Sequence, residues 1–188
     1  MNHTEKLILE SVNKRKTLLG VGPMSKNCTD VCIELSDSYD VPIMLIPSRR
    51  QVDSKFLGGG YANNWSTEDF SSYVNKKSIK KKVLLCRDHG GPWQNTVEIE
   101  NKLNLKNAMA SAKASFENDI DSNFHILHID PSIDIFQNLD INIILERIYE
   151  LYEHCYHYAS KKNKNILFEI GTEEQSGSTS TFEEIEYF

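Results

Sequence analysis

Five short, continuously apolar stretches recur along the chain, and patterns typical of helices separate them. The five stretches cover residues 17–23, 41–48, 82–89, 123–130 and 165–171. Strands buried on both faces of a parallel sheet have such continuous apolar runs, whereas half-exposed strands alternate between apolar and polar residues. The sequence therefore predicts five parallel strands within an α/β fold.

The segments between these strands predict helices at residues 29–39, 66–76, 105–118 and 141–162. We expect Thr29 to cap the first of these helices. Ser66 and Asp69 form a pattern like a capping box at the start of the second. Thr181 and Glu184 have the same spacing near the end of the sequence, and they predict the start of one more helix.

Two architectures fit this alternation of strands and helices: an open doubly wound sheet and a (β/α)₈ barrel. The first strand is followed by VGPMSKN instead of a G-x-G-x-x-G motif, which argues against dinucleotide binding. A complete barrel has eight strands in about 250 residues, and this chain of 188 residues predicts five. We therefore expect a single domain, residues 1–188, that is a partial TIM-type barrel without its C-terminal strands.

The charge and the hydropathy of the chain limit the classes of partner and the cellular location that we expect. The net charge is −6, which gives no reason to expect nucleic acid or an anionic membrane as a partner. The N-terminal sequence lacks the apolar region of a signal peptide, and no apolar run approaches the roughly 18 residues of a membrane span. We expect a cytoplasmic protein.

Polar side chains stand where the second to fifth predicted strands end. They are Ser48, Asp88, His89, Asp130, Ser132, Glu169, Thr172 and Glu173. Ligands bind at this edge of a parallel sheet because the loops that follow the strands converge there. Asp130 precedes a proline, and taken alone it fits a structural role, as a turn-former or helix N-cap, as well as a functional one. Glu169 lies inside an apolar stretch, where a buried carboxylate is costly unless it is paired or binds a cation.

One histidine and several carboxylates on neighbouring strand ends can form a divalent metal site. Imidazole and carboxylate together suit Zn²⁺, Mn²⁺ or Mg²⁺. Asp88 is adjacent to the expected ligand His89, so its side chain can stand beside the metal as a general acid or base. We interpret His125 and His128, which lie within the fourth strand, as packing or surface residues.

Four motifs at these strand ends resemble the motifs of one family. They are IPSRRQVDSKFLGGGYANNWSTEDF at residues 46–70, RDHGGPW at 87–93, LHIDPS at 127–132 and EIGTE at 169–173. They resemble the Ser-x-Gln-Val and Gly-Gly-Tyr, Asp-His-Leu-Gly-Pro, Ile-His-Leu-Asp-x-Ser and Ile-Gly-Thr-Glu motifs of the non-catalytic or accessory subunit of class II D-tagatose-1,6-bisphosphate aldolase. That family is related to the zinc-dependent ketose-bisphosphate aldolases, and the resemblance implies a TIM barrel.

The resemblance also implies a role for each matched residue. His89 matches a metal-ligating histidine, Asp88 the catalytic acid or base, and Glu169 a carboxylate that approaches the metal, which is expected to be zinc. The residues that match the substrate side are Ser48, Gln51, Gly59, Gly60, Tyr61, Asp130 and Ser132. The implied mechanism is a metal that polarises a ketose carbonyl while Asp88 moves a hydroxyl proton, with cleavage or formation of a C–C bond or 4-epimerisation as the outcome.

The sequence departs from the family pattern in three respects. Gly90 stands where an apolar residue is usual, and Pro47 and residues 49–50 replace smaller or polar residues. Strands six to eight, which in class II aldolases carry two further metal-binding histidines and a phosphate-binding loop, are not predicted. Three functions therefore stay open: an enzyme acting on a phosphorylated ketose, a non-catalytic subunit that stabilises a separate class II aldolase, and an inactive fragment. The expected protein partner is a catalytic aldolase subunit or a second copy of this chain.

Overall fold

The computed structural model describes residues 3–171, which form a five-stranded parallel sheet with helices between the strands. The strands are β1 (Leu19–Val21), β2 (Ile43–Leu45), β3 (Val83–Gly90), β4 (Ile126–Ile129) and β5 (Leu167–Ile170). The helices are α1 (His3–Asn13), α2 (Lys26–Tyr39), α3 (Thr67–Lys77), α4 (Thr96–Glu100), α5 (Leu105–Asp121) and α6 (Ile141–Lys161). Each strand falls within one of the stretches that the apolar pattern predicts, except that β3 extends one residue further, to Gly90.

The order of the strands decides between the two architectures. Each strand pairs in parallel with the next one along the chain, in the order β1-β2-β3-β4-β5. A doubly wound sheet reverses its strand order partway along the sheet, whereas in a barrel of βα units the strands follow one another. The prediction of a partial TIM-type barrel with five parallel strands is confirmed, and its sheet is open.

Side-chain caps set the starts of two predicted helices. The hydroxyl of Ser66 accepts a hydrogen bond from the Asp69 N–H at 3.1 Å and donates one to the Asp69 carboxylate at 2.8 Å, so the capping pattern is confirmed. The prediction for Thr29 is wrong. Ser25 caps α2 by accepting from the Cys28 N–H at 3.2 Å, and Thr29 lies buried in the first turn, where its hydroxyl donates to the Ser25 carbonyl.

The apolar residues divide between the two faces of the sheet. Alternate residues of β3 such as Val83 and Leu85 face the main core beneath the helices, because successive side chains of a strand point to opposite faces. Leu84 and Cys86 face the other side, where a smaller cluster includes Leu7 of α1. The sequence pattern predicts neither α1 nor the short α4.

A buried ion pair joins β3 to α5 and to the loop after β2. The guanidinium of Arg87 contacts both carboxylate oxygens of Asp119, at 2.8 Å and 2.6 Å. It also donates to the carbonyls of Pro47 and Val52 at 3.0 Å and 2.7 Å. Burial disfavours the charge of Arg87, but the Asp119 carboxylate outweighs burial and raises the pKa of the guanidinium.

Some of the predicted features lie outside the described residues. These are the helix start at Thr181 and Glu184 and the strand-end residues Thr172 and Glu173. Among residues 3–171, no helix combines the length and the apolar character that crossing a bilayer requires.

We expect Asp119→Asn to lower the free energy of unfolding by about 3 kcal/mol or more, because it leaves the buried Arg87 without a countercharge. Asp121→Asn is the matched control in the same helix. Asp121 pairs with Lys162 at 2.9 Å, but its side chain is 45% exposed, and exposed pairs contribute at most about 1 kcal/mol. Urea-induced unfolding measures both variants, and equal losses would contradict the assignment.

Candidate metal centre

An irregularity at the end of β3 brings Asp88 and His89 to the same site. Consecutive residues of a regular strand point to opposite faces. The pairing of β3 with β4 shifts register between Arg87 and Gly90, and His89 has a left-handed φ of +46°, which is uncommon outside glycine. As a result, the Nε2 atom of His89 lies 3.8 Å from Oδ1 of Asp88.

Two glycines make room for this irregular strand end. A Cβ atom at Gly90 would lie 2.4 Å from the ring of Phe116, and one at Gly91 would lie 2.1 Å from the carbonyl oxygen of Asp130. Phe116 therefore fills the space that a side chain at position 90 would need.

His128 of β4 completes a group of three side chains that can bind a metal. Its Nδ1 atom lies 3.6 Å from Oδ1 of Asp88, and one donor atom from each of Asp88, His89 and His128 lies within 4.8 Å of the others. The sequence predicts a packing or surface residue at His128; the side chain is buried, and it also stands among possible metal ligands. The proximity of His128 to Asp88 follows from the register of the sheet, which the sequence did not predict. Cys86 pairs with Ile126, and this register places Asp88 beside His128.

The environments of His128, in β4, and of His125, the residue before β4, differ. Burial opposes protonation of His128, but the neighbouring Asp88 carboxylate, supported by Glu169 and Asp130, outweighs it and raises the pKa of His128. Burial lowers the pKa of His125, whose Nδ1 atom accepts the Leu85 N–H at 2.9 Å. His125 is therefore a structural residue, as predicted, while His128 lies among carboxylates.

Cys86, which lies two residues before Asp88 in β3, is not a reactive thiol. It is buried on the face of the sheet that includes Leu84 and Ile126. Burial, with a smaller contribution from Glu169, raises the pKa of the Cys86 thiol to about 12. The thiolate is the form that binds metals and attacks electrophiles, so the chemistry of the site belongs to its carboxylates and imidazoles.

Asp130 contacts His89 and is fully buried. Its Oδ2 atom lies 2.8 Å from Nδ1 of His89 and 3.3 Å from the side-chain nitrogen of Gln94. Its Oδ1 atom accepts from the backbone N–H and the hydroxyl of Ser132, at 3.1 Å and 2.5 Å. The structure thus brings Asp130 and Ser132 to the candidate centre, on the side of His89 away from Asp88.

Glu169 lies on the neighbouring strand, but it is not one of the three grouped residues. It pairs in register with His128, so the two side chains share a face of the sheet. Its side chain is exposed within the described part of the chain. The expectation of a buried carboxylate is therefore wrong: β5 is the last strand of the described sheet, and its burial falls off towards its end.

The residues predicted on the substrate side form a loop beside the centre. The backbone of Ser48 bridges to Asp88, and the Ser48 N–H donates to the side chain of Gln51 at 2.9 Å. Gly60 packs on the backbone of Gln51, where a Cβ atom would lie 2.1 Å from the carbonyl oxygen. Tyr61 is exposed. Gly59, the remaining residue of this loop, has a left-handed φ of +69°.

A buried charge network that the sequence did not predict joins this loop to the centre. Arg49 is 1% exposed, and its guanidinium contacts Asp53 at 3.0 Å, Glu98 at 2.6 Å and the Gly91 carbonyl at 2.7 Å. Further donors to these two carboxylates are Asn95, Ser115, Ser111 and the Trp93 N–H. The network connects the loop after β2 with the loop after β3.

Comparisons with known proteins identify the fold and not a family. No protein-family model matches the sequence, and no curated protein matches it. Two similar solved structures are a probable tagatose 6 phosphate kinase from Sinorhizobium meliloti 1021 and the YdjI aldolase from Escherichia coli K12. The first has a TM-score of 0.65 and 22% identity and covers 84% of this chain. The second has a TM-score of 0.53 and 14% identity and covers 90% of this chain.

This chain spans 39% of the length of the first structure and 52% of the second. At these identities the similarity establishes the α/β fold.

We expect Gly91→Ala to lower the free energy of unfolding by about 2 kcal/mol, because a Cβ atom there overlaps a backbone carbonyl that cannot move aside. Gly22→Ala is the matched control, since its Cβ atom would meet only the end of the Gln51 side chain, at 3.2 Å. Thermal or chemical unfolding measures the difference. If the two variants were equally stable, the close packing of Gly91 on Asp130 would be refuted.

Proposed function

We propose that this chain binds a divalent metal, with zinc as the expected ion, between His89 and His128. We propose further that it takes part in aldol-type chemistry on a phosphorylated ketose, with Asp88 as the acid or base. The reaction is C–C bond cleavage or formation, or 4-epimerisation by the same deprotonation. The observation that carries the proposal is the convergence of one carboxylate and two imidazoles at the C-terminal edge of a partial barrel.

The donor atoms fit a small divalent cation. The distances from Asp88 Oδ1 to the two imidazole nitrogens are 3.6 Å and 3.8 Å. A cation held at bonds of about 2.1 Å by the two imidazole nitrogens would therefore lie beside the Asp88 carboxylate, which is not counted among its ligands. Two imidazoles beside a carboxylate suit zinc, manganese or iron better than calcium.

Asp88 is the member of the group best placed to meet a substrate. Its side chain is 31% exposed, compared with 19% for His89 and 7% for His128. A bound cation would stabilise negative charge on the carbonyl oxygen of a ketose. Asp88 would take the proton of the hydroxyl on the second carbon from that carbonyl. That hydroxyl carbon becomes a carbonyl as the C–C bond breaks, and the electron pair of the bond passes to the carbon next to the ketose carbonyl.

The surroundings of the centre support a sugar phosphate as the substrate. The loop of Ser48, Gln51, Gly59, Gly60 and Tyr61 borders Asp88 through the bridge to Ser48. One similar structure is named as an aldolase, and the other is named as a probable kinase of a sugar phosphate, tagatose 6 phosphate. A metal role for Glu169, which faces the same side as His128, stays a prediction.

Substitutions at the centre should separate metal binding from proton transfer. We expect His128→Ala to weaken zinc binding by at least about ten-fold, because changes around a metal site that leave the ligands intact already cost that much. Asp88→Asn should keep zinc and lower turnover at least about 100-fold, the usual contribution of an acid or base. A chelating-dye competition measures zinc, and release of triose phosphate or 4-epimer from ketose bisphosphates measures turnover.

His154→Ala is the control, since His154 lies on α6 and contacts Glu117 at 2.9 Å. Equal zinc affinity in the His128 and His154 variants would refute the metal site. Zinc binding without turnover, together with activation of an added class II aldolase, would instead identify a non-catalytic partner and contradict the catalytic proposal.

A further inference from the structure

We infer that Asp130 is a positioning residue: it holds His89 in the form with hydrogen on Nδ1, so that the lone pair of Nε2 faces the metal. The inference rests on the proposed function only in naming the metal as the group that Nε2 meets. The resemblance implied a substrate-side role for Asp130, but the side chain is fully buried, so it reaches the chemistry through His89.

The hydrogen bonds of Asp130 determine where the hydrogen lies. The Gln94 amide and the N–H and O–H groups of Ser132 all point their hydrogens at this carboxylate. A carboxylate that receives three donors acts as an acceptor. The hydrogen in the 2.8 Å contact with His89 therefore belongs to Nδ1 of the imidazole.

With hydrogen on Nδ1, the other ring nitrogen of His89 is the one that carries a lone pair. A neutral imidazole carries one hydrogen, so Nδ1–H leaves Nε2 as the acceptor. Nε2 is the atom that faces Asp88, at 3.8 Å, and belongs to the candidate centre. A carboxylate behind a metal-ligating histidine fixes the orientation of the ring and makes the ligand more basic.

The local backbone keeps Asp130 in place behind His89. The Asp130 N–H donates to the Gly90 carbonyl at 2.9 Å, and the carbonyl of Asp130 lies against Gly91, where no side chain would fit. The same register shift that turns His89 towards Asp88 therefore also brings its Nδ1 atom onto Asp130. One backbone feature sets both contacts of the ring.

The tautomer of the His89 imidazole can be measured directly in the metal-free protein. We expect ¹⁵N NMR of the wild-type chain, at a pH where imidazoles are neutral, to show hydrogen on Nδ1 of His89. The chain has six histidines, and the imidazole signals that disappear in the His89→Gln variant are those of His89. Hydrogen on Nε2 would overturn the inference, and this measurement needs neither metal nor a variant of Asp130.

Zinc affinity provides the second readout. We expect Asp130→Asn to weaken zinc binding by about 10- to 100-fold and to change the ¹⁵N pattern of His89, since an amide can donate to Nδ1 as well as accept from it. Asp121→Asn is the control: Asp121 forms an exposed pair with Lys162 at 2.9 Å, and its variant should change neither readout. Unchanged affinity in Asp130→Asn would overturn the inference, whereas a wild-type chain that binds no zinc would refute the proposed function alone.

Discussion

The buried guanidinium of Arg49 holds together the loops that follow β2 and β3 at the C-terminal edge of the sheet. A charge removed from water costs several kcal/mol unless its donors are satisfied, and Arg49 is satisfied only when three separate segments meet around it. Asp53 belongs to the loop after β2, Glu98 to α4, and the carbonyl of Gly91 to the loop after β3. Because all three contacts are short and buried, the two loops cannot shift independently, and the backbone next to His89 is held in one position.

That fixed backbone brings together side chains that a regular strand would keep apart. Asp88 and His89 are neighbours in sequence, and a regular strand would separate their side chains onto opposite faces. The register shift and the left-handed backbone of His89 bring the two together. Strain of this kind persists where the surroundings overdetermine the conformation, and here Phe116 and the Asp130 carbonyl leave no space for a side chain at either glycine.

The sequence predicted what depends on local pattern and missed what depends on partners far along the chain. Continuous apolar runs located all five strands, and polar strand ends located Asp88 and His89. His128 was missed because it was judged by its distance from the strand end and not by its register with β3. Arg49 could not be assigned, since its contact with the Gly91 carbonyl spans 42 residues. Glu169 was expected to be buried because its neighbours are apolar, although β5 is the last strand of the described sheet.

The central claim is that His89 and His128 bind one metal ion beside Asp88. Crystals grown with zinc, measured on both sides of the zinc absorption edge, test it most directly. The account predicts an anomalous peak bonded at about 2.1 Å to Nε2 of His89 and Nδ1 of His128, with Asp130 still contacting Nδ1 of His89. A zinc-containing crystal with no peak between these two histidines would contradict it.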